Sequence, residues 1–306
     1  MIDQIENCRS CGQADLEQVF DLGSLAFTGR FPKKNEDYVP EGPLVIMFCR
    51  NCGLVQLAHN FDLKELYLHN YGYRSGTNAS MRDHLAGIVN EIQSKVSLES
   101  GDTVLDIGSN DGTLLWNYSI PGIRRIGIDP NIFNWGDLYH PEALKVSDFF
   151  SANKFKEVSE ETAKVITSIS MFYDLPDPNA FVADIATCLS EDGLWVLEQS
   201  YVLRMLEQNA YDTICHEHLV YYGLKQISDI VARQNMRVCD VSFNDCNGGS
   251  FRVFVCHDIA DFPTKEIVGT TLNREIRQKL NTPAPFLALK GRVEKLRDEM
   301  NDFLEV

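Results

Sequence analysis

A short segment with two glycines in the middle of the chain constrains the fold more than any other feature. Residues 104–115 read Val-Leu-Asp-Ile-Gly-Ser-Asn-Asp-Gly-Thr-Leu-Leu, an apolar run that leads directly into a turn. Between helical patterns, similar short apolar runs recur at 103–107, 125–129, 165–169 and 194–198. Strands that alternate with helices in this way predict a mainly parallel sheet with helices on both faces, an α/β fold.

The carboxylate that precedes the first glycine indicates which ligand the turn binds. In a dinucleotide-binding turn the diphosphate needs free access to the helix N-terminus, and Asp106 would repel it. A cationic ligand such as S-adenosylmethionine (SAM) would tolerate this charge, and Gly108 lets the backbone approach the ligand closely. We therefore predict a class I, Rossmann-like methyltransferase domain rather than a dinucleotide domain.

Two further strand ends supply the other contacts that SAM needs. Asp129 follows Asp106 by 23 residues and is expected to accept hydrogen bonds from the ribose hydroxyls. Asp148 and Phe149 are expected to contact the adenine amine and the face of the base. The residues predicted to bind the cofactor are Asp106, Gly108, Ser109, Asn110, Asp111, Gly112, Asp129, Pro130, Asp148, Phe149 and Ser168.

Four of the nine cysteines form two C-x2-C pairs near the N-terminus. Each pair is followed directly by a glycine, which allows the positive φ that such a turn needs. An odd cysteine count without an export signal argues against a disulfide framework, whereas two such pairs suit a tetrahedral Zn2+ ion. Because protein fills all four positions, we predict a structural zinc site formed by Cys8, Cys11, Cys49 and Cys52.

The charge of the chain excludes one large class of partner. The sequence has 44 acidic and 28 basic side chains, a formal charge of −16, so it would repel the phosphate backbone of nucleic acids. No window approaches 18 consecutive apolar residues, and the N-terminus lacks a secretory pattern. We therefore expect a cytoplasmic protein with neither a nucleic-acid nor a membrane partner, and the sequence leaves its oligomeric state open.

These patterns predict four segments. Residues 79–97 have apolar side chains at steps of three and four, which predicts an amphipathic helix. Two late strands, 236–243 and 251–256, could close the sheet in the antiparallel direction. The predicted segments are a zinc-binding domain at 1–65, a helical connector at 66–98, the methyltransferase domain at 99–258 with a catalytic insertion at 200–223, and a C-terminal helical segment at 259–306.

Several motifs occur together with the cysteine pairs and the glycine segment. They are residues 71–77 (Tyr-Gly-Tyr-Arg-Ser-Gly-Thr), 211–218 (Tyr-Asp-Thr-Ile-Cys-His-Glu-His) and 248–252 (Gly-Gly-Ser-Phe-Arg). In this combination the whole chain resembles the SAM-dependent C-methyltransferases of nucleotide-linked keto-deoxysugars, which add the branching methyl group of sugars such as mycarose and tetronitrose. The resemblance implies a keto-deoxysugar linked to a nucleotide as the substrate.

The resemblance also implies the catalytic residues. The second histidine of the His-Glu-His motif is the general base in the family, and the glutamate and nearby tyrosines support it. The chemistry agrees, because methylating a carbon needs a base to remove a proton beside a carbonyl and donors that hold the enolate oxygen. A metal-binding pair and a hydrogen-bonded loop cluster are alternative interpretations of the two histidines. The predicted catalytic residues are His218, Glu217, His216, Tyr73 and Tyr222.

The chain departs from the family at several positions that face the substrate. Cys215 stands where members often carry a tyrosine, and Ser170 and Asp174 stand where they tend to have an asparagine and a histidine. Members usually continue into another α/β domain, and this chain ends in the helix that would lead there. The residues expected to bind the substrate are Ser170, Asp174, Asn247, Gly248, Gly249, Ser250 and Arg252.

Two other functions fit parts of the sequence. An O- or N-methyltransferase could use the same base on a hydroxyl or an amine of a related sugar. A zinc-ribbon interaction protein with a vestigial methyltransferase fold would bind no SAM at all.

Overall fold

The structure is a computed structural model that describes residues 2–28, 39–62, 66–67 and 72–304. Tyr71, which belongs to one of the motifs above, lies outside the described residues. Within them, the strands form a two-stranded ribbon, a four-stranded sheet and a seven-stranded sheet. No helix in these ranges is long and apolar enough to cross a membrane.

The N-terminal module, described at residues 2–28 and 39–62, consists of antiparallel strands. Alternating side chains of its third strand, among them Leu44, Ile46 and Phe48, are buried in the core, as expected for a strand with one buried face. The strands are β1 (Asp3–Gln4), β2 (Leu16–Ala26), β3 (Glu41–Cys49), β4 (Val55–Leu57) and β5 (His59–Asn60).

The second half of the fold begins with a long helix whose apolar face is buried as the sequence predicted. Strands and helices then alternate up to the fifth strand of the large sheet. These elements are α1 (Ala79–Lys95), β6 (Thr103–Ile107), β7 (Arg124–Ile128), α2 (Ile132–Trp135), β8 (Leu144–Val146), α3 (Ala152–Lys156), β9 (Ala163–Ile169), α4 (Pro178–Cys188) and β10 (Leu189–Ser200).

The chain then leaves the sheet and returns to it for two more strands. The elements of this part are α5 (Val202–Gln208), β11 (Val220–Tyr221), α6 (Leu224–Ala232), β12 (Met236–Asn244), β13 (Ser250–His257), α7 (Glu266–Arg277) and α8 (Ala284–Leu304).

The seven strands have the order β12-β13-β10-β9-β6-β7-β8. Strands β10, β9, β6, β7 and β8 are parallel, whereas β13 is antiparallel to both β10 and β12. The predicted class I fold, a mainly parallel sheet with an antiparallel closure, is therefore confirmed. Because the chain leaves β6 toward β7 and later returns to its other side as β9, the crevice at the end of β6 is where such sheets bind ligands.

The insertion at 200–223 joins the two halves of the molecule. Its strand β11 pairs antiparallel with β4, with Val220 opposite Gln56 and Tyr221 opposite Val55. Together β11, β4, β3 and β2 form the four-stranded N-terminal sheet. The segment that carries the His-Glu-His motif is thus anchored in the N-terminal module, although the sequence predicted it as part of the methyltransferase domain.

Candidate active site

The four paired cysteines come together in the N-terminal module. All four sulfur atoms lie within 4.8 Å of one another, and Cys8 and Cys52, like Cys11 and Cys49, are 3.6 Å apart. A tetrahedral Zn2+ ion with sulfur ligands at about 2.3 Å needs sulfur atoms about 3.8 Å apart. Gly12, at a φ of 72°, donates its amide to the carbonyl of Cys8 over 2.9 Å and closes the turn. The donor set therefore fits a structural zinc ion.

The zinc-binding turns are tied to the strands around them. Arg9, between the first two cysteines, donates through Nη1 to the carbonyl of Leu57 in β4 over 2.6 Å. Gln226 of α6 donates to the carbonyl of Cys52 over 3.3 Å. Because β4 is also the partner of β11, the same contacts that surround the cysteines fix the position of the His-Glu-His segment.

The glycine loop, residues 107–113, is clamped by a carboxylate from the next strand. Asp129 Oδ2 accepts from the amide of Asn110 over 2.9 Å, and its Oδ1 accepts from the amide of Asn131 over 2.6 Å. Gly112 has a φ of 76°, and a Cβ atom there would lie 2.7 Å from the ring of Tyr139. The turn therefore needs glycine for both conformation and space.

Asp106 lies buried at the end of β6 and faces the crevice. Thr167 donates its hydroxyl to Asp106 Oδ1 over 2.6 Å, and burial raises the pKa of the Asp106 carboxyl to about 7. A cationic ligand beside this carboxyl would favour its ionised form, whereas a diphosphate would be repelled. The environment of Asp106 thus fits the amino-acid part of SAM.

One cavity lies over the ends of β6, β7 and β9, and we call it the cofactor cavity. Most of the residues predicted to bind SAM line it, with Asp148 partly exposed and paired with Lys154 at 3.2 Å. Those on its wall are Asp106, Gly108, Ser109, Asn110, Asp129, Pro130, Asp148 and Phe149.

Three of the predicted cofactor residues are not on the wall of this cavity. Asp111 accepts from the amide of Gly76, and Gly112 packs on Tyr139. Ser168 accepts from the indole Nε1 of Trp195 over 2.9 Å in the core. Successive side chains of a strand point to opposite faces, which is why Ser168 faces the core although the end of β9 borders the cavity.

The segment 72–77 covers the glycine loop through backbone contacts. The amides of Ser75 and Gly76 donate to the side chains of Asn110 and Asp111, each over 2.9 Å, and Asn110 Nδ2 donates to the carbonyl of Tyr73 over 3.1 Å. Tyr73 and Ser75 also line the cofactor cavity. The segment therefore brings Tyr73, a predicted catalytic residue, to the cavity.

His218 has a fixed tautomer. Its Nδ1–H donates to the carbonyl of Thr213 over 2.8 Å, so Nε2 carries the lone pair. Its ring packs on Tyr173 at 4.1 Å between centroids, and burial lowers the pKa of His218. His218 lines a small cavity with Tyr173 and Ser200, while Asp174, the next residue after Tyr173, lines the cofactor cavity.

The structure does not bring His216 or Tyr222 to either cavity. His216 is fully buried, donates Nε2–H to the carbonyl of Gly42 over 3.0 Å and packs between Phe27 and Phe61. Tyr222 is fully buried too and packs against aromatic side chains of the core. The predicted grouping of His216 and Tyr222 with His218 is therefore not seen, because residues 216–217 form a bend between the short helical turn Tyr211–Thr213 and β11.

Glu217 also differs from the expected arrangement. Its carboxylate accepts from the hydroxyl of Thr28 in the N-terminal module and makes no hydrogen bond to His218 among the described contacts. Burial lowers the pKa of His218, and the charge of Glu217 offsets part of this lowering. The same charge adds to the raising of the Asp174 pKa by burial. The orienting partner of His218 in this structure is the carbonyl of Thr213 instead.

The predicted substrate residues fall into two groups. Ser170, with a φ of 54°, and Asp174 line the cofactor cavity. Arg252 is instead buried between carboxylates, with its Nε 2.9 Å from Glu198 and its Nη1 paired with Glu91. A guanidinium engaged in this way is not free to bind a substrate phosphate.

The turn that precedes Arg252 is shaped by its own backbone. Asn247, Gly248 and Gly249 have φ values of 50°, 77° and 111°, and Ser250 donates its hydroxyl to the carbonyl of Cys246 over 2.9 Å. None of the four is on the wall of the cofactor cavity. Their predicted contact with substrate stays a prediction.

Sequence reasoning missed several residues on the cavity wall. Met81 and Leu85 of α1 were expected to belong to the core face of an amphipathic helix, and they also line the cofactor cavity. Met171 packs over the glycine loop, where a Cβ atom on Gly108 would lie 3.1 Å from it. Helical spacing cannot distinguish a side chain that faces the core from one that faces a ligand, so the pattern held no signal for these contacts.

Comparisons with known proteins agree with this geometry. The sequence model of a methyltransferase domain matches residues 78–241, more than half of the chain. The chain belongs to the methyltransferase family. A zinc-binding domain model matches residues 8–67 and a C-methyltransferase C-terminal domain model matches 245–306, so the resemblance to C-methyltransferases is confirmed. The chain is a SAM-dependent methyltransferase with a structural zinc site.

One curated relative is similar along almost the whole chain. C-methyltransferase NovU of Streptomyces niveus is 27% identical over 99% of this chain and 73% of its own length. Among solved structures, magnesium protoporphyrin IX methyltransferase of Synechocystis matches 60% of this chain and 90% of its own at 10% identity and a TM-score of 0.45. N-methyltransferase NodS of Bradyrhizobium japonicum matches 58% and 97% at 12% identity and a TM-score of 0.42.

Proposed function

We propose that this methyltransferase transfers the methyl group of SAM to the carbon beside the keto group of a nucleotide-linked deoxysugar. The observation that carries the proposal is the hydrogen bond from His218 Nδ1 to the carbonyl of Thr213, which leaves Nε2 as the atom that can accept a proton. Tyr173 packs on the ring of His218, and the next residue along the chain, Asp174, lines the cofactor cavity. A relative that spans 99% of the chain and is named a C-methyltransferase supports transfer to carbon.

The reaction needs a base because a C–H bond does not attack a methyl donor unaided. His218 Nε2 would accept the proton from the carbon beside the carbonyl, and the hydrogen bond to Thr213 would stabilise the resulting imidazolium. Burial lowers the pKa of His218, which keeps the imidazole in its basic form down to lower pH. The resulting enolate carbon can then form the new carbon–carbon bond.

The residues on the cofactor side of the cavity would hold SAM in place and take no part in acid–base chemistry. When bound, SAM supplies an electrophilic methyl group on a sulfonium. Asp129 would accept hydrogen bonds from its ribose while still holding the glycine loop, and Asp106 would face its ammonium group. The N-terminal module would hold the His218 segment in register through β11.

The experiment that tests this proposal is product analysis with a panel of nucleotide-linked 4-keto-6-deoxysugars and SAM labelled with 13C in its methyl group. We expect one member of the panel to gain a labelled methyl group bonded to carbon, seen by 13C NMR. A methyl group on oxygen or nitrogen would support the alternative that the chain is an O- or N-methyltransferase. If no member of the panel gained a methyl group, the proposal that the substrate is a nucleotide-linked keto-deoxysugar would be wrong.

A further inference from the structure

One carboxyl group on the wall of the cofactor cavity has no role in the cofactor contacts described above. Asp174 ends the short helical turn Phe172–Asp174 between β9 and α4 and lines the cavity. Its Oδ1 is buried and has no hydrogen-bond partner among the described residues. Burying a polar atom without a partner costs free energy, so this atom points to a group that arrives with a ligand.

The groups that act on Asp174 disfavour a carboxylate there. Burial raises the pKa of Asp174 well above its usual value, and the nearby charge of Glu217 raises it further. A hydrogen bond with the side chain of Tyr67 lowers the pKa of Asp174, but the effect of burial is larger. No lysine or arginine pairs with Asp174 among the residues that the structure describes, so no cation compensates for a buried charge.

Burial also disfavours the charged forms of the other titratable groups beside Asp174. Cys215 and Tyr221 come from the His-Glu-His segment, and burial raises the pKa of both. Burial lowers the pKa of His218, whose ring packs on the residue before Asp174. None of these groups therefore supplies a cation beside Asp174, and the charge of Glu217 repels a second negative charge.

We propose that Asp174 is a catalytic residue that, as a neutral carboxylic acid, donates a hydrogen bond to the carbonyl oxygen of the substrate and stabilises the enolate. This inference rests on the proposed function above, because an enolate forms only if carbon is methylated. A donor that is already in place where negative charge develops stabilises the transition state without reorganisation. Asp174 would supply this donor in a chain that has Cys215 at the position where family members often have a tyrosine.

The step balances without any further reactant. His218 Nε2 takes the proton of the C–H bond, the electrons of that bond form the carbon–carbon double bond, and the carbonyl electrons move to the oxygen held by Asp174. The enolate then attacks the methyl group of SAM, forming a carbon–carbon bond as the sulfur–carbon bond breaks. S-adenosylhomocysteine leaves with the electron pair, the carbonyl re-forms and His218 releases its proton to water. Asp174 keeps its own proton throughout.

The test compares Asp174→Asn with Asp174→Ala. An amide can donate a hydrogen bond but cannot act as an acid or a base, so Asp174→Asn should retain turnover within about ten-fold of the wild type. Asp174→Ala should lose about 10²–10³-fold in kcat, as measured for other oxyanion donors. Asp177→Asn is the matched control, since Asp177 is an exposed N-cap that asparagine replaces well.

The pH profile separates a donor from a residue that only fills space. Wild-type turnover should fall as pH rises through the raised pKa of Asp174, because the ionised carboxylate can no longer donate. Asp174→Asn should lose this alkaline limb and keep the acidic limb that His218 produces. Equal losses in the two Asp174 variants would mean that hydrogen-bond donation is not what Asp174 contributes, which would overturn the proposal.

An infrared measurement tests Asp174 without any substrate. The wild-type-minus-Asp174→Asn difference spectrum should show the carbonyl band of a protonated carboxylic acid at neutral pH. A carboxylate band in its place would contradict the inference even if the sugar assignment proved correct. Conversely, a protonated Asp174 in a protein that methylates no keto-deoxysugar would contradict the proposed function and leave this acid as a donor to another ligand.

Discussion

The two sides of the active site are held in place by different parts of the chain. On the cofactor side, the glycine loop is fixed by its own conformation and by Asp129, which is less than 25 residues away in sequence. On the base side, the segment 211–221 carrying His218 is held by β4 and by Gly42 of the N-terminal module. The difference suggests that cofactor binding and proton abstraction can be lost separately.

The largest effect is expected when the zinc ligands are removed. Cys49→Ser combined with Cys52→Ser should unfold the N-terminal module, because zinc binding can supply roughly 10 kcal/mol or more of folding free energy. Turnover should then be lost while SAM still binds the sheet domain, as calorimetry can measure. Cys188→Ala, which removes a buried thiol outside the cluster, should keep one zinc per chain by elemental analysis. Normal turnover by the zinc-free protein would disprove the anchoring role of the module.

The next effect concerns the base itself. His218→Asn should reduce turnover by about 10²–10⁴-fold, the usual contribution of a general base, and leave SAM affinity unchanged. His216→Gln is a useful comparison, because His216 is buried in the N-terminal module and its loss should lower thermal stability instead. Steady-state kinetics, calorimetry and thermal unfolding measure the three quantities. If His218→Asn turned over at the normal rate, another group would have to be the base.

A smaller effect is expected on the cofactor side. Asp129→Ala would remove the proposed charge-assisted contact to the ribose, worth about 1.5–3 kcal/mol, so SAM affinity should fall ten-fold or more. It also frees the amide of Asn110 in the glycine loop and the amide of Asn131, which follows β7. Asp137→Ala, an exposed position eight residues later, should bind SAM normally. An unchanged dissociation constant for Asp129→Ala would show that another residue contacts the ribose.

The smallest effect tests the covering segment. A Cβ atom on Gly76 would lie 2.6 Å from Thr113 Oγ1 and 2.7 Å from Asp111 Oδ2, so Gly76→Ala should displace the segment from the glycine loop. Such crowding costs about 1–3 kcal/mol, part of which should appear as a few-fold weaker SAM binding. Gly72→Ala, where a Cβ would meet nothing within 4 Å, is the control. Equal affinities in the two variants would show that the segment does not support the cofactor site.

The features that the sequence predicted well depend on local spacing. The cysteine pairs, the glycine loop and α1 are each defined within a few turns of chain, and the structure contains all three. The antiparallel closure by β12 and β13 could also be predicted, since a short connection between two strands favours a hairpin.

The features that the sequence could not predict depend on distant contacts. The pairing of Val220 with Gln56 joins residues more than 160 positions apart, and no local pattern in β11 indicates it. Glu198 pairs with both Arg252 and His84. No local pattern indicates these two pairs, because the residues meet only once the sheet has formed. The base side of the site was therefore less predictable than the cofactor side.

The most direct test of the account is exchange of solvent deuterium into the keto-deoxysugar in the absence of SAM. The wild-type protein with zinc bound should incorporate deuterium at the carbon beside the keto group, because in the proposed mechanism His218 removes that proton before any methyl group is transferred. His218→Asn and the zinc-free protein should both fail to exchange while the former still binds SAM normally. Methyl transfer by a wild-type protein that shows no exchange, or full exchange by His218→Asn, would contradict the account.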